Sequence, residues 1–319
     1  MNNTTAVRGK RKGALARLRA NWELLLLCIP AIACYIIFSY VPMIGLILPF
    51  KNYKYNLGLF ASKWVGLKNF NFLFKSVDLW RITRNTVAYS LAFLIVGYAV
   101  FVAVLGRINP LLLFEIKERR SALKTYQTIM TFPNFMSWVI VGFITYAVFN
   151  PVLGVMNQLI RSLGGTGVDV YSSPAYWPFI IIFVNSWKGL GMGSMMYLAN
   201  LLGIDASLYE AATIDGANRW QQTKYISLPS IIPLWTIMTI LAIGGMFRGD
   251  FGLFYQIPRN IGLLYETTDI IDTFVYRGLQ TNNYGQSSAV GFIQSLLGLI
   301  CVGGTNWIVS KISPDNAMF

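Results

Sequence analysis

Three ionisable side chains stand in or beside runs that otherwise carry no charge: Lys188 within 176–202, and Arg248 and Asp250 just after 231–247. A charge at membrane depth costs about 2.5 to 3.5 kcal/mol on insertion scales, which makes each a candidate for handling a polar ligand. The competing reading is that all three lie near helix ends and snorkel to water. Arg248 and Asp250 are poorly spaced for contact on a regular helix, although nearby glycines can break a helix there. A second constellation lies in the polar island 203–230, GIDASLYEAATIDGANRWQQTKYISLPS. It runs Glu210-Ala211-Ala212, three residues, Gly216, nine residues, Ile226, one residue, Leu228-Pro229. Two alanines beside one carboxylate let another protein approach closely, and the carboxylate can meet a basic group there. Asp215 and Gly216 permit a reversal, while Leu-Pro discourages helix before the next apolar run. Ser207 and Glu210 also fit the spacing of a capping box, so Glu210 has a second reading as a cap of its own helix.

Several chemistries lose their support. The chain has no histidine, and Cys28, Cys34 and Cys301 each sit in an apolar run, which argues against metal sites, histidine catalysis and a disulfide framework. No nucleophile, base and orienting group fall together, so no catalytic residue is assigned. Nothing matches G-x-x-x-x-G-K-[ST], so the chain carries no loop of that kind for ATP phosphates. The run GLGMGS at 189–194 resembles a nucleotide loop only superficially; Gly189 and Gly193 have the GxxxG spacing of helix packing.

The elements that must position these residues are apolar helices. Of 319 residues, 55% are hydrophobic and 12% charged, far from the roughly 25% charge of a soluble domain. Mean hydropathy is +0.52. The net charge of +13 raises nucleic acid as a partner, but too few polar positions remain to build a basic stripe on a soluble fold, and membrane-facing loops account for it. The expected fold is all-α and polytopic, with six transmembrane helices near 24–48, 87–105, 128–149, 176–202, 231–247 and 287–309. Pro30 and Pro42 are expected to kink the first or end it near Tyr40. Residues 50–84, with basic and aromatic side chains interleaved, read as an interfacial segment. The charged run 114–124 reads as a cytoplasmic extension, 152–175 as an external loop with flexible GGTG turns at 164–167, and 256–286 as a second external segment. Asn185, Trp187, Lys188 and the three glycines that follow are expected to interrupt the fourth span.

Domain organisation follows: a basic cytoplasmic tail over 1–22, a transmembrane domain over 23–311, and a short cytoplasmic tail over 312–319. Lys and Arg count 14 inside against 10 outside when both termini are cytoplasmic, with the seven positives of 50–84 dissenting. The island 203–230 then faces the cytoplasm.

The island's complete spacing resembles the EAA loop of the membrane subunits of ABC importers, the family that includes the maltose permease subunits. VGLKNFNFLF at 65–74, TFPNFMSWVIVG at 131–142, GDFGLFY at 249–255, DIIDTFVYR at 269–277 and NWIVSKISPDNAMF at 306–319 are similar to its polysaccharide-type branch. The resemblance implies an importer permease that moves an oligosaccharide or polysaccharide fragment. Its loop would place Glu210, Ala211, Ala212, Asp215, Gly216, Ile226, Leu228 and Pro229 against a cytoplasmic ATPase. It further implies a second, related permease chain, generally a different one, an ATPase dimer that holds ATP and magnesium, and an external solute-binding protein. This chain itself would bind no cofactor. Trp138, Trp187, Phe254 and Tyr255 would stack on sugar rings, with Asn134 and Asn185 as hydroxyl partners and Lys188, Arg248 and Asp250 along the path; aromatic side chains in spans also serve packing and interfacial belts. A non-sugar solute such as glycerol phosphate or an osmolyte is the alternative within the superfamily. A secondary transporter is a weaker one, since no convincing internal repeat is found.

Overall fold

The computed structural model describes residues 22–73, 75–107 and 120–314, without side chains at 23–25, 100–107, 120–124 and 126. Almost all of the basic tail 1–22, most of the charged run 114–124 and the last five residues of 312–319 lie outside the described residues.

Helix α1 (Trp22–Tyr35) does not stop near Tyr40. It passes through a wider π turn (Ile36–Tyr40) into a tighter 3-10 segment (Val41–Phe50). Pro42 stands at the start of that segment, where its missing N–H costs nothing. Residues 50–73, within the expected interfacial segment, form a small compact unit. Strands β1 (Lys51–Asn52) and β2 (Lys63–Trp64) pair antiparallel around the short helix α2 (Gly58–Ala61). The Asn69 amide donates to the carbonyls of Pro49 and Lys51, and Phe50 stacks on Trp64 while meeting Phe70 and Phe292 edge-on or tilted. Local pairing satisfies polar backbone groups here, and the aromatic side chains pack together.

Helix α3 (Val77–Arg107) contains the second expected span. The third is not one rod. Helix α4 (Arg120–Thr131) and a 3-10 turn (Phe132–Phe135) meet α5 (Trp138–Phe149) at a bend of 101°. Pro133 has no N–H to continue the helix, Met136 and Ser137 are extended, and the Ser137 hydroxyl accepts from the Ile140 N–H to start α5 afresh.

The expected flexible loop 152–175 is ordered around helix α6 (Val155–Ser162). The fully buried Asn157 side chain donates to the carbonyls of Asn150, Pro151 and Val168 and accepts from the Val168 N–H. One amide thereby closes the loop on itself. Helix α7 (Trp177–Leu202) runs without interruption through Asn185, Lys188 and the glycines. Its packing glycine is Gly191, whose missing side chain admits the Met130 carbonyl: a Cβ there would sit 2.0 Å from that oxygen. Gly189 and Gly193 have nothing within 4 Å and line a cavity, so the GxxxG pair is not the contact.

The island itself holds α8 (Ala206–Ile214), α9 (Arg219–Gln222) and a π turn (Thr223–Ser227), and it runs into α10 (Leu228–Gly244). Leu228-Pro229 does not break this run. The Leu228 N–H reaches back to Thr223, and the wider turn places Pro229 where no donor is needed. Beyond α10 lie α11 (Phe251–Gln256), α12 (Tyr265–Thr268), α13 (Ile271–Gln280) and α14 (Tyr284–Ile312). The segment 256–286, expected to be external, is therefore mostly helical, and its buried Asp269 pairs with Arg277 at 2.6 Å and Arg81 at 3.4 Å, tying it to the start of α3.

The main buried cluster centres on Trp177, Ile181, Val141, Leu253, Ile257 and Ile270, where α5, α7 and α11 converge. Among the described residues, Leu26–Phe50, Pro174–Leu202, Arg219–Gly244 and Tyr284–Ile312 are long and apolar enough to cross a membrane, and the bent pair ending at Phe149 makes five.

Candidate functional site

Two interruptions between helices, one before α5 and one before α11, meet beside the middle of α7. Lys188, on α7, donates from Nζ to the Asn134 carbonyl at 2.9 Å, and the same ammonium lies 4.9 Å from the centre of the Trp138 ring. The Trp138 indole donates to Asp250 Oδ2 at 2.7 Å. Asp250 Oδ1 accepts from the Leu253 N–H and so caps α11. A cation and an anion thus bracket one indole, each anchored to a place where a helix starts or stops. Lys188 is half-buried and tied to Asn134, while Asp250 is exposed and caps α11. Gly252 makes the arrangement possible: a Cβ there would meet Trp138 Cδ1 at 2.3 Å.

Arg248 and Asp250 form no ion pair among the described residues, and the helix has ended before either is reached. Arg248 acts instead on Asp272. That carboxylate accepts from the Gly249 N–H at 2.7 Å and the Gln294 amide at 3.1 Å. Burial pushes the Asp272 carboxyl up from its ordinary value, and the two hydrogen bonds and the Arg248 charge only partly oppose it.

Beside this cluster, a cavity of about 410 Å³ opens between α3, α7 and α10, with Ser90, Tyr98, Asn185, Tyr197 and Thr239 among its polar lining. A smaller one, about 80 Å³, shares Ser90, Phe93 and Asn185 with it and reaches Arg248, Asp250 and Phe254. Asn185 therefore stands where the two meet. The other sequence candidates divide. Asn134 contributes its backbone carbonyl to Lys188. Phe254 is 3% exposed, with its ring 4.7 Å from that of Tyr89, and belongs mainly to the core. Trp187 is 36% exposed and lines neither cavity. Tyr255 packs between Phe251 and Tyr276. Sequence reasoning missed Gly252, Asp272 and Gln294; the signal for Asp272 was a carboxylate in an apolar stretch, DIIDTFVYR.

The island builds its site by short-range contacts. Asp205, not Glu210, caps α8: its carboxylate accepts from the Ser207 N–H, and this bond together with the Ser207 side chain holds the Asp205 carboxyl below its ordinary range. Ser207 lies inside the helix, so the expected Ser207–Glu210 capping box does not form. Gly216 takes a φ of +76°, which reverses the chain after Asp215. Asn218 and Gln221 cap α9 reciprocally. Beneath the reversal, buried Gln222 donates to the Thr213 hydroxyl and the Ala217 carbonyl, and the buried Tyr209 and Ser227 hydroxyls lie 2.9 Å apart. Outward it shows Glu210, Ala211, Asp215 and Gly216, with Ala212, Ile226 and Leu228 half-buried and Pro229 exposed. Ile214 and Trp220 are 87% and 70% exposed, an apolar pair at the reversal that the motif alone did not single out.

Comparison with known proteins bears on both regions. The model of the family described as binding-protein-dependent transport system inner membrane component matches residues 112–314. Protein LplB of Bacillus subtilis (strain 168) is 36% identical over 96% of this chain and 94% of its own length. The polygalacturonan/rhamnogalacturonan transport system permease protein YteP of the same organism is 32% identical over 96% and 93%. The crystal structure of a bacterial ABC transporter involved in the import of the acidic polysaccharide alginate contains a chain that superposes with a TM-score of 0.79. The two are 30% identical, and the match covers 94% of this chain and 99% of that one. A second structure of a bacterial alginate transporter, in complex with an alginate pentasaccharide-bound periplasmic protein, gives 0.78 at 30% identity over 95% and 99%.

Proposed function

The chain belongs to the family of binding-protein-dependent transport system inner membrane components, and from that membership we propose how this member works as a sugar permease. It is the multi-pass membrane subunit of an ABC importer for a carbohydrate, an oligosaccharide or polysaccharide fragment, and it forms half of the translocation path in the cytoplasmic membrane. Six helices cross the membrane, with both termini and the island in the cytoplasm. A second permease chain, different in sequence, supplies the other half, and an external solute-binding protein delivers the sugar. An ATPase dimer binds ATP and magnesium; this chain hydrolyses nothing.

The observation that carries this reading is the form of the island. It is a capped, internally bonded body that exposes Glu210, Ala211 and the Ile214–Trp220 apolar pair at the head of α10. Such a body can be pressed by a partner and pass its displacement on, because Tyr209 and Ser227 join α8 to the start of α10. The sugar passes the cavities beside Asn185, and the Lys188–Trp138–Asp250 chain holds the bends of α5 and α11 together around that path. Movement of α10 would reach Arg248 and Asp250 directly, since both follow its end.

Co-purification tests the coupling. An ATPase subunit that associates with the wild-type chain is expected to be lost on Glu210→Lys, with the permease still folded because Asp205 keeps the helix capped. Retention of the ATPase by that variant, or sugar uptake that persists without any ATPase, rejects the assignment.

A further inference from the structure

A third cavity, of about 290 Å³, lies against α5 and the turn that follows α11, and neither the polar cluster nor the island uses it. Tyr255, Gln256, Arg259 and Asn260 form its polar side, while Val139 and Phe143 line its apolar side. Its size is at the lower end for a small-molecule site, enough for a single sugar residue.

The turn that builds it is unusual. Arg259 and Asn260 are consecutive non-glycine residues with φ of 57° and 51°, a left-handed conformation that such residues rarely hold. Asn260 is fixed by the Tyr265 hydroxyl, which donates to its Oδ1 at 2.9 Å, and by Arg277, which reaches the same oxygen at 3.4 Å. The result is that the Arg259 guanidinium is laid over the Tyr146 ring, 4.1 Å from its centre.

A second guanidinium nearby shows what is missing. Arg277 also stacks on a tyrosine, Tyr265, at 4.1 Å, but it is satisfied by the buried Asp269 at 2.6 Å. Arg259 has the same stacking and, among the described residues, no carboxylate and no side-chain hydrogen bond. Stacking occupies the face of a guanidinium and leaves its in-plane N–H fork free, and that fork matches a carboxylate in two parallel bonds. Beside it the Gln256 amide and Tyr255 hydroxyl also make no hydrogen bond among the described residues, which leaves them for hydroxyl groups. The apolar side offers a surface for the C–H face of a sugar ring.

We propose that this cavity is a subsite for a carboxylate-bearing sugar residue, with Arg259 as its anion receptor, separate from the Lys188–Trp138–Asp250 cluster. The inference rests on the carbohydrate-permease reading and narrows it to anionic saccharides.

The test uses the importer complex assembled with its partner chains in detergent, and titration calorimetry with two probes, trigalacturonate and the neutral trisaccharide obtained by reducing its carboxyl groups. Wild type is expected to prefer trigalacturonate. Arg259→Gln should weaken trigalacturonate roughly tenfold and leave the neutral sugar unchanged, whereas Arg259→Lys, which keeps the charge but not the fork, should retain part of the preference. An equal loss for both sugars, no loss for either, or a wild type without preference overturns the subsite. So does a loss of solute-binding-protein docking in Arg259→Gln measured without sugar, which would assign the guanidinium to a protein carboxylate. Wild type that binds neither probe but retains its ATPase overturns the subsite while leaving the permease reading in place.

Discussion

The island and the polar cluster are both assemblies of a few charged and amide groups, yet they are built in opposite ways. In the island every side-chain bond joins residues at most 18 apart, and each short helix carries its own cap. In the cluster the Lys188–Asn134 and Trp138–Asp250 bonds span 54 and 112 residues and join three separate stretches of chain. The first is a body that can be displaced as a unit. The second is a junction, and any relative motion of α5, α7 and α11 must stretch it. The proposed importer, driven from one side, would use both: a rigid place to receive force and a deformable place where helices part.

The largest expected effect breaks the junction without touching a charge. Gly191→Ala forces a methyl group against the Met130 carbonyl, which is backbone and cannot swing aside. Overpacking of this kind costs about 1 to 3 kcal/mol, and here it also shifts α7 against the bend before α5. Thermal unfolding in detergent should fall markedly and sugar uptake at least tenfold. Gly189→Ala and Gly193→Ala, whose added methyl groups meet nothing, should leave unfolding unchanged. Equal stability of all three variants would mean that the close approach at Gly191 does not exist.

The matching test on the island is Gly216→Val. No neighbour lies within 4 Å, so the whole effect is backbone strain from a φ of +76°, of order 1–2 kcal/mol. Because the island is self-contained, the loss should show as weaker ATPase co-purification with little change in the unfolding of the membrane helices. If unfolding drops as far as in Gly191→Ala, the island is not an independent body. Gly216→Asn, which tolerates this conformation better, should be milder.

These contrasts also explain what could be read from the chain beforehand. Short-range geometry leaves a spacing, and the run from Glu210 to Pro229 carries one, down to the reversal at Gly216. The second reading of Glu210, as a cap, does not hold because Asp205 and Ser207 both suit the position and the extended backbone at Asp205 decides between them. The helices were legible from apolar length. The bend at 133–137 was not, since a single proline gives no direction, and neither was the role of Gly191, because three glycines two apart look alike until one of them meets a carbonyl. Trp138 and Asp250 were both on the candidate roster, but nothing in a linear sequence pairs residues 112 apart.

A smaller effect separates the two duties of Asp250. Asp250→Ala removes both the cap of α11 and the acceptor for Trp138, with cap loss alone worth about 1 kcal/mol. Uptake should fall several-fold while ATPase association is unchanged. Asn caps helices about as well as Asp but has a single acceptor oxygen, so Asp250→Asn keeps the cap and loses the bond from the indole, and its uptake should lie between wild type and Ala. If Asn is as damaging as Ala, transport requires the side facing the indole, its acceptor and its negative charge together, and not the cap. If Ala is harmless, Asp250 has no part in the path.

The smallest effect concerns Asp272, which sits where the end of α10 meets α13 and α14. Its carboxyl is raised above the ordinary 3.8 chiefly by burial, so the folded state holds a proton more tightly than the unfolded state does. The resulting stabilisation is fully present below the unfolded value and is lost as pH rises through the folded one. Above the unfolded value the wild type therefore loses stability that a neutral side chain at this buried position would keep. Asp272→Asn keeps an oxygen for the Gly249 N–H and the Gln294 amide and removes the charge. Its Tm relative to wild type should be higher at pH 7 than at pH 4, by about 1–3 °C. A difference that is flat with pH would mean that Arg248 and the two hydrogen bonds already outweigh burial. The junction would then be electrostatically relaxed at rest, and its deformability would have to come from packing alone.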